Sequence, residues 1–276
     1  MQVTSELAPT AARLEAGLGE LGRVVVGFSG GADSALLAYV ARQVLGREGA
    51  VAVTAVSASL APEELADCEA LAGEWDLDWR PVPTNELAVE AYARNATDRC
   101  YYCKTELMSA LDPIVSSTGA VAILGVNVDD LSDHRPGQRA AKERGARFPL
   151  LEAGLTKADV RALSRDLGLR TADKPAAACL ASRVPYGTRV TVGVLSQVAL
   201  AESGLRALGF SAVRVRHYGE LARVELPLGD LRRALQEREA VVAAVRAGGY
   251  RYVTIDLEGL RSGNLNGTAP QGTDTN

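Results

Sequence analysis

Cys100 and Cys103 stand three positions apart in DRCYYCKTE (98–106), within a chain that has only four cysteines. Two thiols at this spacing can share a zinc ion, form a redox disulfide, or supply part of a site completed from elsewhere. A structural zinc normally takes four ligands. Two histidines, His134 and His217, are too few for a histidine-rich metal site. A third cysteine, Cys179, lies in DKPAAACLASRVPYGT (173–188); the fourth, Cys68, shares an amphipathic pattern with Leu65, Leu71 and Ala72 and reads as core.

A second chemical feature is FSGGADS (28–34). Gly30 and Gly31 allow a tight turn that presents successive N–H groups at a helix N-terminus, where the helix dipole favours an anion. The hydroxyls of Ser29 and Ser34 add donors, and Asp33 can cap the helix or contact a metal. No Gly-Lys-Ser/Thr follows, so the loop is not of the Walker type, nor is it GxGxxG. The plain alternative is a strand-to-helix turn with a glycine hinge. Asp129 and Asp130 end an apolar strand beside this loop, where a carboxylate can hold Mg²⁺ or a ribose, or simply cap a helix. Arg214 and Arg216 alternate on a strand and so share a face able to grip a phosphate, unless that face is merely solvated. Ser182 and Arg183 share the loop of Cys179 and can hold a phosphate or carboxylate. Lys104 and Arg135 are lesser candidates, and Tyr101 and Tyr102 read as packing.

The elements that must position these groups follow from the apolar pattern. A helix is expected over 12–21, a strand over 24–28, a helix after the glycine loop, a strand over 51–56, and a helix from Pro62 to about Trp75. A helix over 104–117 and a strand over 121–127 come next. Apolar strands alternating with helices predict a parallel sheet covered on both faces, with ligands at the C-terminal strand ends. Residues 170–190 read as an ordered loop. Beyond it, helix 194–208, strands 212–218 and 222–228, helix 229–247 and strand 250–257 suggest a small α+β domain, ferredoxin-like in pattern. The expected division is 1–170, 171–190 as active-site loop or linker, 191–262, and a Gly/Asn/Thr-rich tail, 263–276, that reads as disordered. A 47% apolar content supports a good core, and a net charge of −4 gives no global attraction for nucleic acid. No apolar run is long enough to span a bilayer, and the N-terminus lacks a signal-peptide core, so a soluble cytoplasmic protein is expected.

VVVGFSGGADSALLA resembles the PP-loop ATP pyrophosphatases, which cleave ATP between its α and β phosphates and adenylate an acceptor. That resemblance implies an adenine nucleotide alpha hydrolase-like fold, with ATP on Ser29, Gly30, Gly31, Asp33, Ser34 and Asp129, and Mg²⁺ at Asp33 and Asp130. DRCYYCK, GVNVDDLSDHRPGQRAA, DKPAAACLASRVPYGT, VRVRHYGELARVEL and GYRYVTIDLEGLRSG together resemble LarE, an ATP-dependent sulfur transferase family. The similarity runs from about residue 20 to 263. It implies adenylation of a carboxylate of pyridinium-3,5-biscarboxylic acid mononucleotide and its conversion to a thiocarboxylate for the nickel-pincer nucleotide. It also implies that Arg214 and Arg216, with Ser182 and Arg183, bind the substrate. Members with CxxC plus one cysteine before SRxPYG are thought to hold a [4Fe–4S] cluster, here on Cys100, Cys103 and Cys179, with sulfide or another donor as the sulfur source. Single-cysteine members sacrifice a cysteine sulfur, which would make Cys179 the donor. The family further suggests a homo-oligomer built through the C-terminal domain. A tRNA-thiolating enzyme is an alternative, but it would need a basic face or an RNA-binding module that this acidic chain does not display. A non-catalytic nucleotide or iron–sulfur sensor is another, against which the intact SGGADS and the arginines speak.

Overall fold

The computed structural model describes residues 7–132, 136–175 and 178–261. Arg135, His134 and the expected disordered tail lie outside the described residues. Along the chain run α1 (Ala8–Leu21), β1 (Val24–Gly27), α2 (Ala32–Gly49), β2 (Ala50–Val56), α3 (Pro62–Glu74) and β3 (Asp78–Pro83). Next come α4 (Glu90–Ala93), α5 (Arg99–Thr118), β4 (Val121–Leu124), α6 (Pro136–Glu143), α7 (Pro149–Glu152) and α8 (Lys157–Asp166). The last are α9 (Val192–Ala207), β5 (Arg214–Tyr218), β6 (Leu221–Glu225), α10 (Leu231–Gln236), α11 (Arg238–Ala247) and β7 (Tyr252–Ile255). The described residues form two compact units, one drawn from within 1–86 and 100–177, the other from within 87–99 and 178–276. Residues 87–99 therefore fold with the C-terminal part, where the sequence suggested an unbroken N-terminal domain.

The first unit is built on a parallel sheet in the order β3-β2-β1-β4. Successive strand side chains point to opposite faces, and β1 shows the result. Val24 and Val26 join one core layer with Leu14, Leu18, Leu36, Leu37 and Val40, while Val25 joins another with Met108 and Leu111. Fully burying each such side chain contributes roughly 1.5–3 kcal/mol, and burial on both faces explains why β1 reads as a continuous apolar run. Strand β3, DWRPVP, escapes sequence reading because its two prolines cannot donate to a ladder. Among the described residues it lies at the sheet edge and pairs only with β2, the position that tolerates proline. Helix α5 begins at Arg99 rather than 104, so both cysteines of the CxxC are helical.

In the second unit, β5 and β6 form an antiparallel hairpin and β7 adds parallel to β6. Val215, Ala222 and Val224 pack with Leu205 of α9, Phe210, and Val241 and Val245 of α11. This three-stranded mixed sheet is α+β as expected, but it has one strand fewer than a ferredoxin-like sheet of four.

Candidate functional site

The glycine loop joins β1 to α2 at the C-terminal end of the parallel sheet. Gly30 adopts a φ of +67°, a left-handed conformation that glycine enters at little cost. Gly31 is extended and precedes the first turn of α2, which has no side-chain cap. Asp33 thus does not cap the helix, and the first-turn N–H groups depend on solvent or a ligand. Ser29 and Ser34 meet hydroxyl to hydroxyl at 3.1 Å; the Ser34 Oγ also accepts from the Ser29 N–H at 3.2 Å and donates to the Gly31 carbonyl at 3.1 Å. Gly125, just beyond β4, completes the geometry. A Cβ there would lie 2.8 Å from the Ser34 nitrogen and 2.9 Å from the Asp33 carbonyl carbon. Only glycine lets that strand end approach the helix start so closely.

Asp33 is held from two sides. Its Oδ1 accepts from Asn127 Nδ2 at 3.0 Å, and its Oδ2 pairs with Lys157 Nζ at 2.5 Å. Asp129 Oδ2 accepts from the Lys157 backbone N–H at 2.6 Å, and the Asp129 N–H donates to Asn127 Oδ1 at 3.0 Å. Asp130 is buried, and its Oδ2 accepts from the Asn127 N–H at 3.1 Å. Asp130 therefore braces the turn after β4, the capping alternative, while Asp33 and Asp129 converge on one lysine. Lys157 and Asn127 were missed as site residues. A signal existed for the lysine: TKAD is a capping box in which Thr156 and Asp159 exchange hydrogen bonds, placing Lys157 at the first position of α8.

None of the four cysteines is in a disulfide. Cys100 is exposed and Cys103 half-buried; the three-residue spacing puts them on one side of the first turns of α5. Tyr102 neighbours Tyr101, whose hydroxyl donates to Glu143 at 2.6 Å and whose ring carries the Arg139 guanidinium, a packing role for both tyrosines. Lys104 packs where α6 meets α5, its Cβ 3.5 Å from the place a Cβ on Gly137 would take. Cys68 is fully buried, and burial pushes its thiol up to about 11, in keeping with a core residue. Among the described residues no three His, Cys, Asp or Glu side chains are grouped as a metal site. Cys100, Cys103 and Cys179 all retain solvent access, whereas Cys68 does not, and thiolates of this kind are ligands that iron–sulfur groups accept.

In the second unit, the loop from Cys179 to Thr188 is gripped by buried side chains. Asn95, fully buried with a φ of +58°, donates from Nδ2 to the carbonyls of Val184, Pro185 and Thr188 at 3.2, 2.8 and 3.0 Å. Arg99 Nη1 donates to Asn95 Oδ1 and, at 2.9 Å, to the Ala181 carbonyl. Arg183 is buried and pairs with Glu202 at 2.9 Å, while its Nη1 bonds the Ala178 carbonyl at 2.7 Å and Ser182 Oγ at 3.1 Å. Arg216 is also buried, donating to the Ser182 carbonyl at 2.8 Å and to Glu225 at 2.9 Å. Arg214 is less buried and bonds the Arg261 carbonyl at 3.1 Å. The two strand arginines thus do not act as a matched pair: Arg216 holds the loop, whereas Arg214 stands beside it. Burial, and then the neighbouring charges of Arg183 and Arg216, push the Arg214 guanidinium below its usual range. Arg216 Nε is buried without a hydrogen-bond partner among the described residues. An anion here would relieve both conditions. Asn95, Arg99 and Glu202 carried no sequence signal, because their roles depend on contacts distant in the chain.

Residues 17–107 match the NAD synthase family, the stretch that contains the glycine loop. The pyridinium-3,5-bisthiocarboxylic acid mononucleotide synthase of Lactiplantibacillus plantarum, LarE, is 41% identical over 263 residues, covering 95% of each chain. The chain belongs to the LarE family. An uncharacterized protein of Synechocystis sp. is 48% identical over 251 residues, 90% of this chain and 93% of the relative. Another from Methanocaldococcus jannaschii is 25% identical over 241 residues, 87% and 91%. As a LarE-family member with a PP-loop ATP pyrophosphatase fold, this chain is an ATP-using sulfurtransferase. Among its described residues no helix is long and apolar enough to cross a membrane.

Proposed function

We propose that this LarE-family chain adenylates a carboxylate of pyridinium-3,5-biscarboxylic acid mononucleotide with ATP and converts it to a thiocarboxylate for nickel-pincer nucleotide synthesis. The observation that carries this reading is the uncapped glycine loop at the start of α2, with Asp33 on its rim, in a chain so similar to the Lactiplantibacillus plantarum synthase. Ser29, Gly30, Gly31 and Ser34 bind the ATP phosphates through N–H and hydroxyl groups, and Asp129 contributes on the nucleotide side. Asp33 is the candidate Mg²⁺ ligand; Asp130, committed to its turn, is the lesser one. Adenylation exchanges a poor leaving group, the carboxylate oxide, for AMP, so that sulfur can attack the carbonyl carbon.

The substrate phosphate is assigned to Arg214 with Ser182, backed by the buried positive charge of Arg183 and Arg216. Cys100, Cys103 and Cys179 would hold a [4Fe–4S] cluster, which would supply sulfide from an iron that no protein thiolate occupies. The proposed division is a PP-loop domain over 1–170 from which residues 87–99 depart to fold with the C-terminal part, an active-site loop over 171–190 and a small C-terminal domain over 191–262, with homo-oligomerisation through the last and a cytoplasmic location.

Incubation with ATP, Mg²⁺, sulfide and the dicarboxylate nucleotide should yield AMP, pyrophosphate and a thiocarboxylate; absence of AMP and pyrophosphate would overturn the reading. Anaerobic reconstitution should load iron and sulfide onto the wild type and fail with Cys100→Ala. Conversion of Cys179 to dehydroalanine, seen by mass spectrometry after one turnover, would replace the cluster route with a sacrificial one.

A further inference from the structure

Lys174 lies outside the glycine loop in sequence yet is bonded to it. Its Nζ donates to the Gly30 carbonyl at 3.2 Å, to Glu64 Oε2 at 2.7 Å and to Asp67 Oδ2 at 2.6 Å. The side chain is 18% exposed. Asp67 also pairs with Arg170 at 2.6 Å, and Arg170 with Glu74 at 2.8 Å, so that α3 presents an acidic face held by two cations. Burial raises the cost of every charge in this cluster. The bonds from Lys174 and Arg170 outweigh it, holding the Asp67 carboxyl below its usual range and keeping Lys174 protonated above its own.

The consequence for the loop follows from peptide geometry. The Gly30–Gly31 peptide is trans, so its C=O and N–H point in opposite directions. Fixing the Gly30 carbonyl on this half-buried ammonium therefore turns the Gly31 N–H away from Lys174 and its carboxylate partners, Glu64 and Asp67. Gly30 contributes no side chain to hold this orientation, and its left-handed φ leaves the peptide free to flip unless something outside the loop restrains it. Cys68 fills the space beneath, its sulfur 3.0 Å from where a Cβ on Gly30 would stand.

We propose that Lys174 is a positioning residue for the polyphosphate of ATP, tying the Gly30 carbonyl to Glu64 and Asp67 so that the Gly31 N–H is preset to donate to a phosphate oxygen. This rests on the reading of the glycine loop as the ATP site. Its action is on phosphate rather than on adenosine.

The test compares binding of ATP, pyrophosphate and adenosine to the full-length wild type, Lys174→Met, Lys174→Arg, and the double variant Lys174→Gln with Glu64→Gln. The double variant removes a half-buried anion with the cation, so it remains informative if Lys174→Met does not fold. Lys174→Met and the double variant should lose about tenfold or more in affinity for ATP and pyrophosphate, the scale of one hydrogen bond to a charged group. Adenosine affinity should change less than about twofold. Lys174→Arg should recover part of the loss, because it keeps the charge but not the point-like ammonium geometry. With ATP saturating, pyrophosphate release should approach the wild-type rate, so that KM rises more than kcat falls. A folded double variant with wild-type affinity for ATP and pyrophosphate overturns the proposal. So does a parallel loss of adenosine binding, which would mean general damage to the site. Failure of the wild type itself to bind ATP would instead strike at the ATP reading.

Discussion

The glycine loop of the first unit and the Cys179–Thr188 loop of the second both carry candidate ligand groups, yet they are held by different means. The glycine loop is shaped mainly by its own backbone and by near neighbours: a left-handed Gly30, two serines five positions apart, and the close approach of Gly125. Its side chains stay small, and the first turn of α2 that follows carries no side-chain cap. The second loop is fixed by long side chains reaching its carbonyls from elsewhere, Asn95, Arg99 and Arg216, with Arg183 bonding within it. Its order depends on buried charge, and the glutamates that balance those arginines, Glu202 and Glu225, are fully buried. The glycine loop takes one such outside bond, from Lys174 to the Gly30 carbonyl, and its shape otherwise comes from small residues and backbone. A loop held by buried ion pairs is sensitive to the loss of a remote side chain, because removing either partner strands the other in a poorly solvated place.

The contrast is tested most strongly by Glu202→Ala. Arg183 and Arg206 would lose their carboxylate and the Val215 N–H its acceptor. A loss of about 3–5 kcal/mol is expected in chemical denaturation; an unchanged unfolding free energy would break the comparison. Gly125→Ala should cost less, about 1–3 kcal/mol, since the new Cβ would meet backbone atoms of Asp33 and Ser34 that must shift. Its ATP affinity should fall as the start of α2 moves, which isothermal titration would detect. Asn95→Ala removes a donor from three carbonyls, and a loss of about 1–3 kcal/mol is expected. Hydrogen exchange should quicken at the Gly187 and Val190 amides, which bond the carbonyls of Asn95 and Ala93.

Thiol labelling sharpens the comparison with little perturbation. Near neutral pH iodoacetamide should modify Cys100 and Cys179 while sparing Cys68. Burial raises the Cys68 pKa to about 11, so its reactive thiolate becomes appreciable only as the pH nears that value. The smallest effect belongs to Arg189→Ala. That residue pairs with Glu90 at 2.5 Å, but both side chains are mostly exposed and screened by solvent, and the denaturation midpoint should stay at the wild-type value.

How legible each region is in the sequence follows from the same contrast. VVVGFSGGADS declares strand, turn and helix within eleven letters, because apolar periodicity and glycine chemistry are local. The parallel sheet and the small C-terminal α+β unit follow from similar patterns. Strand β3 stays hidden behind Pro81 and Pro83, which only an edge position allows. The start of α5 is obscured because DRCYYC carries no apolar face of its own. Lys157 and Lys174 look like ordinary surface lysines until the fold brings them to Asp33 and Gly30. Asn95 is harder still, since the three carbonyls its Nδ2 serves lie about ninety residues further along the chain.

The inclusion of residues 87–99 in the second unit sets an order for synthesis on the ribosome. That segment emerges well before the residues from Ala178 onward with which it folds. At usual translation speeds the delay is on the order of ten seconds. During that interval Asn95 and Arg99 have no loop carbonyls to bind, and the nascent first unit must carry an unfinished excursion between β3 and α5. Separate expression of the C-terminal region should therefore fail unless residues 87–99 are supplied with it, and a chaperone that shields this short stretch would act at the one stage when it has no partner.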